Sequence, residues 1–464
     1  MQNINQEHPE YRTNRDVWKK YSDLYAGGEQ FRKSAAEYLI RRNREPSEVY
    51  IERLDRVFYE NYAGSIIDWY AATLMTREPL LQFDGPNDRG IDFFNGFVTN
   101  CDLKGTSLAE FFRRRLADAL VFGKSYIALD FPKLQVSVNT RAEEDALGQS
   151  RAYLTEYSPQ ELINWGVDEA GRFEWVVLRT SHLQQRKPAD GEWQRQTRWL
   201  YYDRENYRVY REEKISPENK STQVLVDEGR HGLASQHQVP LFELRVSDGL
   251  WLMNKASMLQ LEHFNKSNAL SWALTMGLFA TPVVYSDREW NQVVGESYYI
   301  QLGPNDRFGW TEPEGHVFQI AADNLERLKD EIYRVCYQMN QASGSQIATV
   351  QSGISKQRDF GVTQEILKAY GDLVKESIRQ VLDAINVARQ DNLQIGVSGL
   401  DEFDIGEFST ELDDAQKLLD LGIASDTFKK QLYKRLALKY LCDLSQETKN
   451  QISSEIDASF ASKN

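Results

Sequence analysis

The stretch QMNQASGSQIATVQSGISKQRDFGVTQEILKAY, residues 338–370, decides how the chain is read. It begins at the end of a run with helical spacing, NLERLKDEIYRVCYQMNQ, which closes in small polar residues. From about Thr363 to Arg389, Ile366, Tyr370, Leu373, Ser377, Val381, Ile385 and Ala388 recur at helical spacing, predicting an element of about 27 residues, roughly 40 Å long. That is long for a small core and suits a strut between units. The Gly/Ser/Gln segment between the two runs carries Lys356 and Arg358 but no recognisable catalytic set.

Upstream, Asp323 is placed to cap the first of these helices. Before it, Pro282 to Ile320 reads as a compact segment with short strands TPVVYS, SYYIQLG and HVFQIA. A long helix is expected from about Trp251 to Leu278. Its uncharged part, Ser267 to Ser286, has spanning length, but Asn268, Ser271, Thr275 and Thr281 interrupt it and Pro282 ends any helix before it crosses a bilayer. A helix buried between protein neighbours fits better.

From about Tyr153 to Glu243 the pattern turns to strands. FEWVVLRTS, TRWLYYD, YRVYREE and QVLVDEG are rich in β-branched and aromatic residues, with DEAGR and DREN as hairpin turns and RKPADGEWQ and KISPENKS as loops. The first third reads as helices. RLDRVFYENYAGSIIDWYAATLM carries Leu54, Val57, Phe58, Tyr62, Ile66 and Trp69 on one apolar face. SLAEFFRRRLADALVFG has a capping box in Ser107 and Glu110 and a stop in Gly123, followed by the strand SYIALDFP. Beyond GVSGLDEFDIGEFST the tail is helical and charged from about Glu411; Gly422 divides it, Ser425 or Asp426 can cap a new helix, and SSEIDASFASKN is expected to fray. Helices followed by a meander make the fold class α+β.

The composition narrows function. With 464 residues, 41% hydrophobic and 12% aromatic, the chain is globular and exceeds one usual domain. A formal net charge of −14 opposes tight, non-specific nucleic-acid binding, which draws its affinity from Lys and Arg on phosphates, although DNA can still be passed along rather than held. Cys101, Cys336 and Cys442, widely separated and odd in number, give no disulfide framework and no CxxC metal pair, so a reducing compartment is expected. The opening MQNINQEHPEYRTNRD has neither the basic nor the apolar part of a secretory signal.

Motifs for bond chemistry are mostly missing. GKS at Gly123 to Ser125 invites a phosphate-loop reading, but Asp118 stands where GxxxxGK[ST] needs its first glycine, and the local order is helix, GKS, strand. His8, His182, His231, His237, His263 and His316 have no HExxH or HxH spacing, so no metal or other cofactor is expected. Scattered carboxylates could pair for acid/base work, which keeps a DNA- or polymer-processing enzyme as the alternative function.

The order of parts resembles the portal proteins of tailed bacteriophages over nearly the whole chain. Its carriers are YIERLDRVFYENYAGSIIDWYAATLMTREP, FFRRRLADALVFGKSYIALDFP, YLTEYSPQELINW, SDGLWLMNKASMLQLEHFNKSNALSWA and SGISKQRDF. The resemblance implies a portal fold: a mixed helix/strand wing over 1–249, a first stem helix at 250–281, a small β-containing clip at 282–321 and a second stem helix at 322–343. A tunnel loop at 344–361 would precede a long spoke helix and return strand over 362–408, with crown helices and tail over 409–464.

It also implies a non-enzymatic ring, a dodecamer, at one capsid vertex of a virion, made in the host cytoplasm and free of membrane. Double-stranded DNA would pass through it during packaging and ejection. The terminase large subunit, major capsid and scaffold proteins, and a head-completion or neck adaptor would dock on it. Gln351, Ser352, Lys356, Gln357 and Arg358 would then face DNA from the tunnel loop as transient donors. Glu326, Lys329, Asp330 and Arg334 would either line the channel or form intersubunit or solvent-facing pairs. Trp251, Leu259, Leu270 and Trp272 would pack stem helices between neighbours. An acidic ring would keep moving DNA from sticking to its conduit.

Overall fold

The computed structural model describes residues 4–132, 151–184, 193–215, 220–277, 281–286, 302–311, 315–338, 353–401, 415–423, 425–440 and 446–461. It divides into two compact units: Met1–Ser22, Ile67–Asn254 and Gly361–Asn464 form the first, and Asp23–Ile66 with Lys255–Phe360 the second.

In unit 1, α6 (Leu108–Phe122) starts at Ser107, whose side chain accepts from Glu110 N, and ends at Gly123 in the left-handed region at φ 84. A positive φ costs glycine nothing, and a Cβ here would lie 3.1 Å from the Trp251 ring. The expected cap and stop are therefore present, but the Glu110 carboxylate takes hydrogen bonds from Arg113 and Arg114. Two guanidinium groups within reach are stronger donors than a backbone amide.

Strand β2 (Lys124–Asp130) follows at once and pairs antiparallel with β3 (Tyr153–Tyr157) and β9 (Leu241–Arg245). The meander is a five-stranded antiparallel sheet in sequence order: β4 (Leu162–Val167), β5 (Phe173–Gln184), β6 (Gln194–Asp203), β7 (Asn206–Ile215) and β8 (Lys220–Arg230). Its turns use the local carboxylates: Asp168 Oδ1 accepts from Ala170 N and Arg172 N, and Asp203 Oδ1 from Glu205 N and Asn206 N. The β7–β8 turn is shorter than KISPENKS, because Ile215 already pairs with Lys220. Most of RKPADGEWQ lies outside the described residues.

Tyr126, Tyr157, Val176, Leu178, Tyr202 and Val239 belong to one buried cluster, where each aliphatic side chain contributes about 1.5–3 kcal/mol of burial. Strand β1 (Leu80–Asp84) pairs antiparallel with β12 (Gln394–Ser398), so distant parts of the sequence meet in unit 1. Between β1 and α6 lies α5 (Asp88–Thr99), capped by the Asn87 side chain.

The chain crosses between units inside four helices: α1 (Pro9–Ala26), α4 (Tyr62–Leu74), α7 (Leu252–Gly277) and α9 (Gly353–Arg389). In unit 2, α2 (Gly28–Tyr38) and α3 (Ser47–Asp55) precede a break. The single helical face expected over Leu54 to Trp69 is interrupted, since residues 57–61 are not helical. Three tertiary interactions overrule the periodicity. Asn61 Oδ1 accepts from Gly64 N while its Nδ2 donates to Tyr25 O; Tyr59 stacks on Phe31 at 4.0 Å; and Asn268 bonds the Phe58 backbone. Arg53 Nη1 donates to both Glu45 carboxylate oxygens at 2.8 Å in a buried pair nearby.

The expected strand TPVVYS becomes β10 (Thr281–Tyr285), paired antiparallel with β11 (Arg307–Thr311). Residues 297–301 of SYYIQLG lie outside the described residues. HVFQIA is helical: α8 runs Gly315–Val335, so Asp323 lies inside it and accepts from Gln319 instead of capping. The local alternation misled because Phe318, Ala321, Leu325, Leu328 and Ile332 continue one helical stripe, whose last two members are buried.

Helix α9 has 37 residues and starts ten residues before Thr363. Its buried stripe, Leu367, Tyr370, Val374, Ile378, Val381 and Ile385, shares Tyr370, Val381 and Ile385 with the expected one, whose Ser377 is buried as well. In the tail, Gly422 has φ 66 and Ser425 Oγ caps α10 (Asp426–Tyr440) by accepting from Phe428 N. Residues 453–461 lie in the end expected to fray. They are helical in α11 (Gln446–Ala461), where Asp457 accepts ion pairs from Lys430 and Lys434 on α10. Residues 402–414 and 462–464 lie outside the described residues.

Candidate functional site

The long helices of unit 2 carry most of the residues singled out above. Along α7, Phe264, Gln260, His263, Ser267 and Asn268 are buried. Gln260 Oε1 accepts from Ala63 N and its Nε2 donates to Glu60 O, which ties the start of α4 to α7. Lys266 Nζ donates to Asn324 Oδ1 at 3.1 Å, linking α7 to α8. Lys255 Nζ donates to the Tyr337 hydroxyl near the end of α8.

A cavity of about 460 Å³ lies between α7, α8 and the segment before α4. Glu60, His263 and Lys329 meet Leu270, Leu274 and Leu325 on its walls. His263 is buried, with Nε2 3.4 Å from Glu60 Oε2 and the Tyr62 ring edge-on at 5.1 Å. Burial pushes its pKa down, with Glu60 and Glu326 pulling up and Lys329 down, so the ring is neutral at pH 7. Its isolated position in the sequence offered no signal for this cluster; only the break before α4 brings Glu60 to it.

Glu326 and Lys329 are both on this wall and form an i,i+3 pair at 2.8 Å. Arg334 is exposed and paired with Glu331, its Nε donating at 2.8 Å. Asp330 is half-buried, its Oδ1 lacks a hydrogen-bond partner among the described residues, and burial followed by Glu326 pushes its pKa up. Of the four stem residues, Glu326 and Lys329 thus pair with each other, Arg334 pairs with a fifth residue, Glu331, and Asp330 is left under-satisfied.

Of the apolar stem residues, Trp251 precedes α7 and is held inside unit 1: its Nε1 donates to Val121 O at 2.9 Å and its ring meets Tyr21 edge-on. Leu259 and Leu270 are half-buried on α7, and the Arg56 guanidinium lies over the half-buried Trp272 at 5.8 Å. In the tunnel-loop segment, Gln351 and Ser352 lie outside the described residues. Lys356, Gln357 and Arg358 occupy the opening turns of α9 instead of a loop; their side chains lie outside the described ones. Lys, Gln and Arg are strong helix formers, so nothing local stops the helix from extending back to Gly353.

The GKS triplet is structural. Lys124 is buried, donates to Glu10 Oε1 at 3.0 Å and lies over the Trp165 ring at 5.4 Å. His231 uses both ring nitrogens, Nδ1 accepting from Leu233 N and Nε2 donating to Asp203 O. Among the described residues no cluster of three or more His, Cys, Asp or Glu is arranged to hold a metal ion, and no helix is long and apolar enough to cross a membrane. Cys101 and Cys336 are buried thiols pushed up to about 12 by burial.

No protein-family model matches the chain. No curated protein matches it either. Among solved structures it is similar to a chain of the "Neck of empty GTA particle computed with C6 symmetry", at 14% identity and TM-score 0.46, covering 80% of this chain and 90% of that one. It is also similar to a chain of the "Virion of native gene transfer agent (GTA) particle", at 14% identity and TM-score 0.42, covering 86% and 96%. A chain of the "Neck of native GTA particle computed with C12 symmetry" follows at 13% identity and TM-score 0.40, covering 80% and 89%. Likeness at this level carries no functional argument.

Proposed function

We propose that the chain is the subunit of a portal ring, a conduit at one vertex of a phage-type head through which double-stranded DNA is packaged and later ejected. The observation that carries this reading is the pairing of β1 with β12. The sequence resemblance requires the chain to leave a wing, run through stem and clip, and return along a long helix into a wing strand. The order α7, β10, β11, α8, α9, β12 follows that path, and β12 closes it on a strand laid down before the meander.

The function so defined makes and breaks no covalent bonds. The terminase motor would dock on the clip, β10 and β11; the crown, α10 and α11, would face the packaged genome; capsid, scaffold and neck proteins would take other surfaces. The segment entering α9, with Lys356 and Arg358, would make weak, short-lived phosphate contacts with the passing duplex. The net charge of −14 per subunit supports passage over retention.

Native mass spectrometry combined with negative-stain images of the purified protein tests the reading. A closed ring of about a dozen subunits with a central hole is the expected result. A stable monomer that cleaves a polymer substrate would overturn it.

A further inference from the structure

The five-stranded sheet of unit 1 contains an uncompensated pair of charges. Arg198 on β6 stands directly opposite Arg211 on β7. Like charges at directly opposed positions repel and weaken the strand pairing. Here both arginines are partly buried, the Nε of each is out of water with no hydrogen-bond partner, and neither forms an ion pair among the described residues.

The surroundings sharpen the pattern. Thr180 pairs with Arg198 and His182 with Gln196, so the strand pleat puts His182, Gln196, Arg198 and Arg211 on one face. Further along that face Leu178, Leu200 and Val209 line up in register, so the arginines sit where the apolar core gives way to polar residues. Gln196 Oε1 is also buried and unpartnered. Burial, then Arg198 and Arg211, pushes the His182 pKa down, leaving a neutral ring that can still donate one N–H.

We propose that Arg198, Arg211 and His182 form a docking site for a carboxylate presented by a second copy of this chain. Guanidinium forks match carboxylate geometry and make charge-assisted bonds to it. The surplus of acidic over basic residues, a net −14, means that every copy has carboxylates to offer. A duplex would need an extended row of cations, whereas Arg211 is followed by Glu212 and Glu213. The choice of a second copy rests on the ring reading above.

The test compares the full-length protein with R198Q/R211Q and with R195Q/R230Q, a control of equal charge built on exposed arginines. Thermal midpoints are read in sodium chloride and in sodium succinate or phosphate at matched ionic strength, and self-association by sedimentation velocity. The wild type and control should gain several degrees in succinate over chloride, and R198Q/R211Q should lose that gain while its midpoint in chloride holds or rises. Its self-association should weaken at least tenfold relative to the control.

An equal succinate gain in R198Q/R211Q, or a lower midpoint in chloride, would overturn the site. A response to phosphate alone, together with duplex binding that the double substitution removes, would overturn the carboxylate. A wild type that stays monomeric overturns the ring reading and with it the second copy as donor; the succinate comparison still decides the site by itself.

Discussion

Asn268 bonds the backbone of Phe58 on both sides: its Oδ1 accepts from Phe58 N at 3.1 Å and its Nδ2 donates to Phe58 O at 2.9 Å. A side-chain amide on α7 thus supplies the pairing that a helix would have given residue 58. Asn268→Leu would leave both backbone groups unsatisfied in a partly buried place, at a cost of about 2–4 kcal/mol. Urea unfolding should register that loss, and an unchanged midpoint would show that these bonds do not hold the break open.

Gly371 offers a test of opposite sign to propensity. In a helix interior Gly→Ala ordinarily adds about 0.5–1 kcal/mol. A Cβ at Gly371 would lie 2.0 Å from Leu400 O, a backbone atom that cannot swing aside. Gly371→Ala should therefore destabilise the protein, read as a lowered thermal midpoint; a raised midpoint would mean that the approach of residue 400 to α9 is not as described.

Glu110 links stability to pH. The Arg113 hydrogen bond, opposed by burial and helped by Arg114, pulls its pKa down to about 2. A carboxylate with a depressed folded pKa contributes stability that is present above its unfolded value of about 4.5 and is lost as pH falls through the folded one. The groups are part-exposed, so solvent screening limits the effect to below about 1 kcal/mol. Between pH 5 and 2, Glu110→Gln should flatten the decline in unfolding free energy by that amount; a parallel decline would assign the acid sensitivity elsewhere.

Within the portal reading, replacing Lys356 and Arg358 by Ala should leave ring formation intact and lower packaging or DNA retention several-fold. A complementation assay reads this directly. Packaging at the unmodified level would remove both side chains from the mechanism.

Leu270→Asp introduces a charge on the cavity wall of unit 2, which Glu326 also lines. Unit 1 should stay folded, by circular dichroism and protease resistance, while ring assembly is blocked. Normal rings by size-exclusion with light scattering would sink the packing role of this stem face.

Local chemistry was legible wherever a single turn of chain decides the outcome. Ser107 and Gly123 bound α6, Ser425 caps α10, and the alternating aromatic and β-branched runs became β5 to β8, because caps, positive φ and period-two burial act within a few residues. The long helices α7, α8 and α9 could be read for the same reason, α7 to within a residue at each end and α9 to its close at Arg389, although the starts of α8 and α9 could not.

What only the tertiary structure decided depends on partners far along the chain. Phe58 leaves its helical register because Asn268 and Phe31 hold residues 58 and 59. HVFQIA is a helix because the stripe it begins continues to Leu328 and Ile332. Residues 453–461 are helical in α11, where α10 brings Lys430 and Lys434 to Asp457. Of the site residues, the sequence by itself determined the types; the packing determined that Lys329 turns to Glu326, that Trp251 packs within unit 1, and that Arg198 meets Arg211 across a strand pair. Periodicity reports which residues share a face; which face meets which depends on contacts between segments that sequence spacing does not encode.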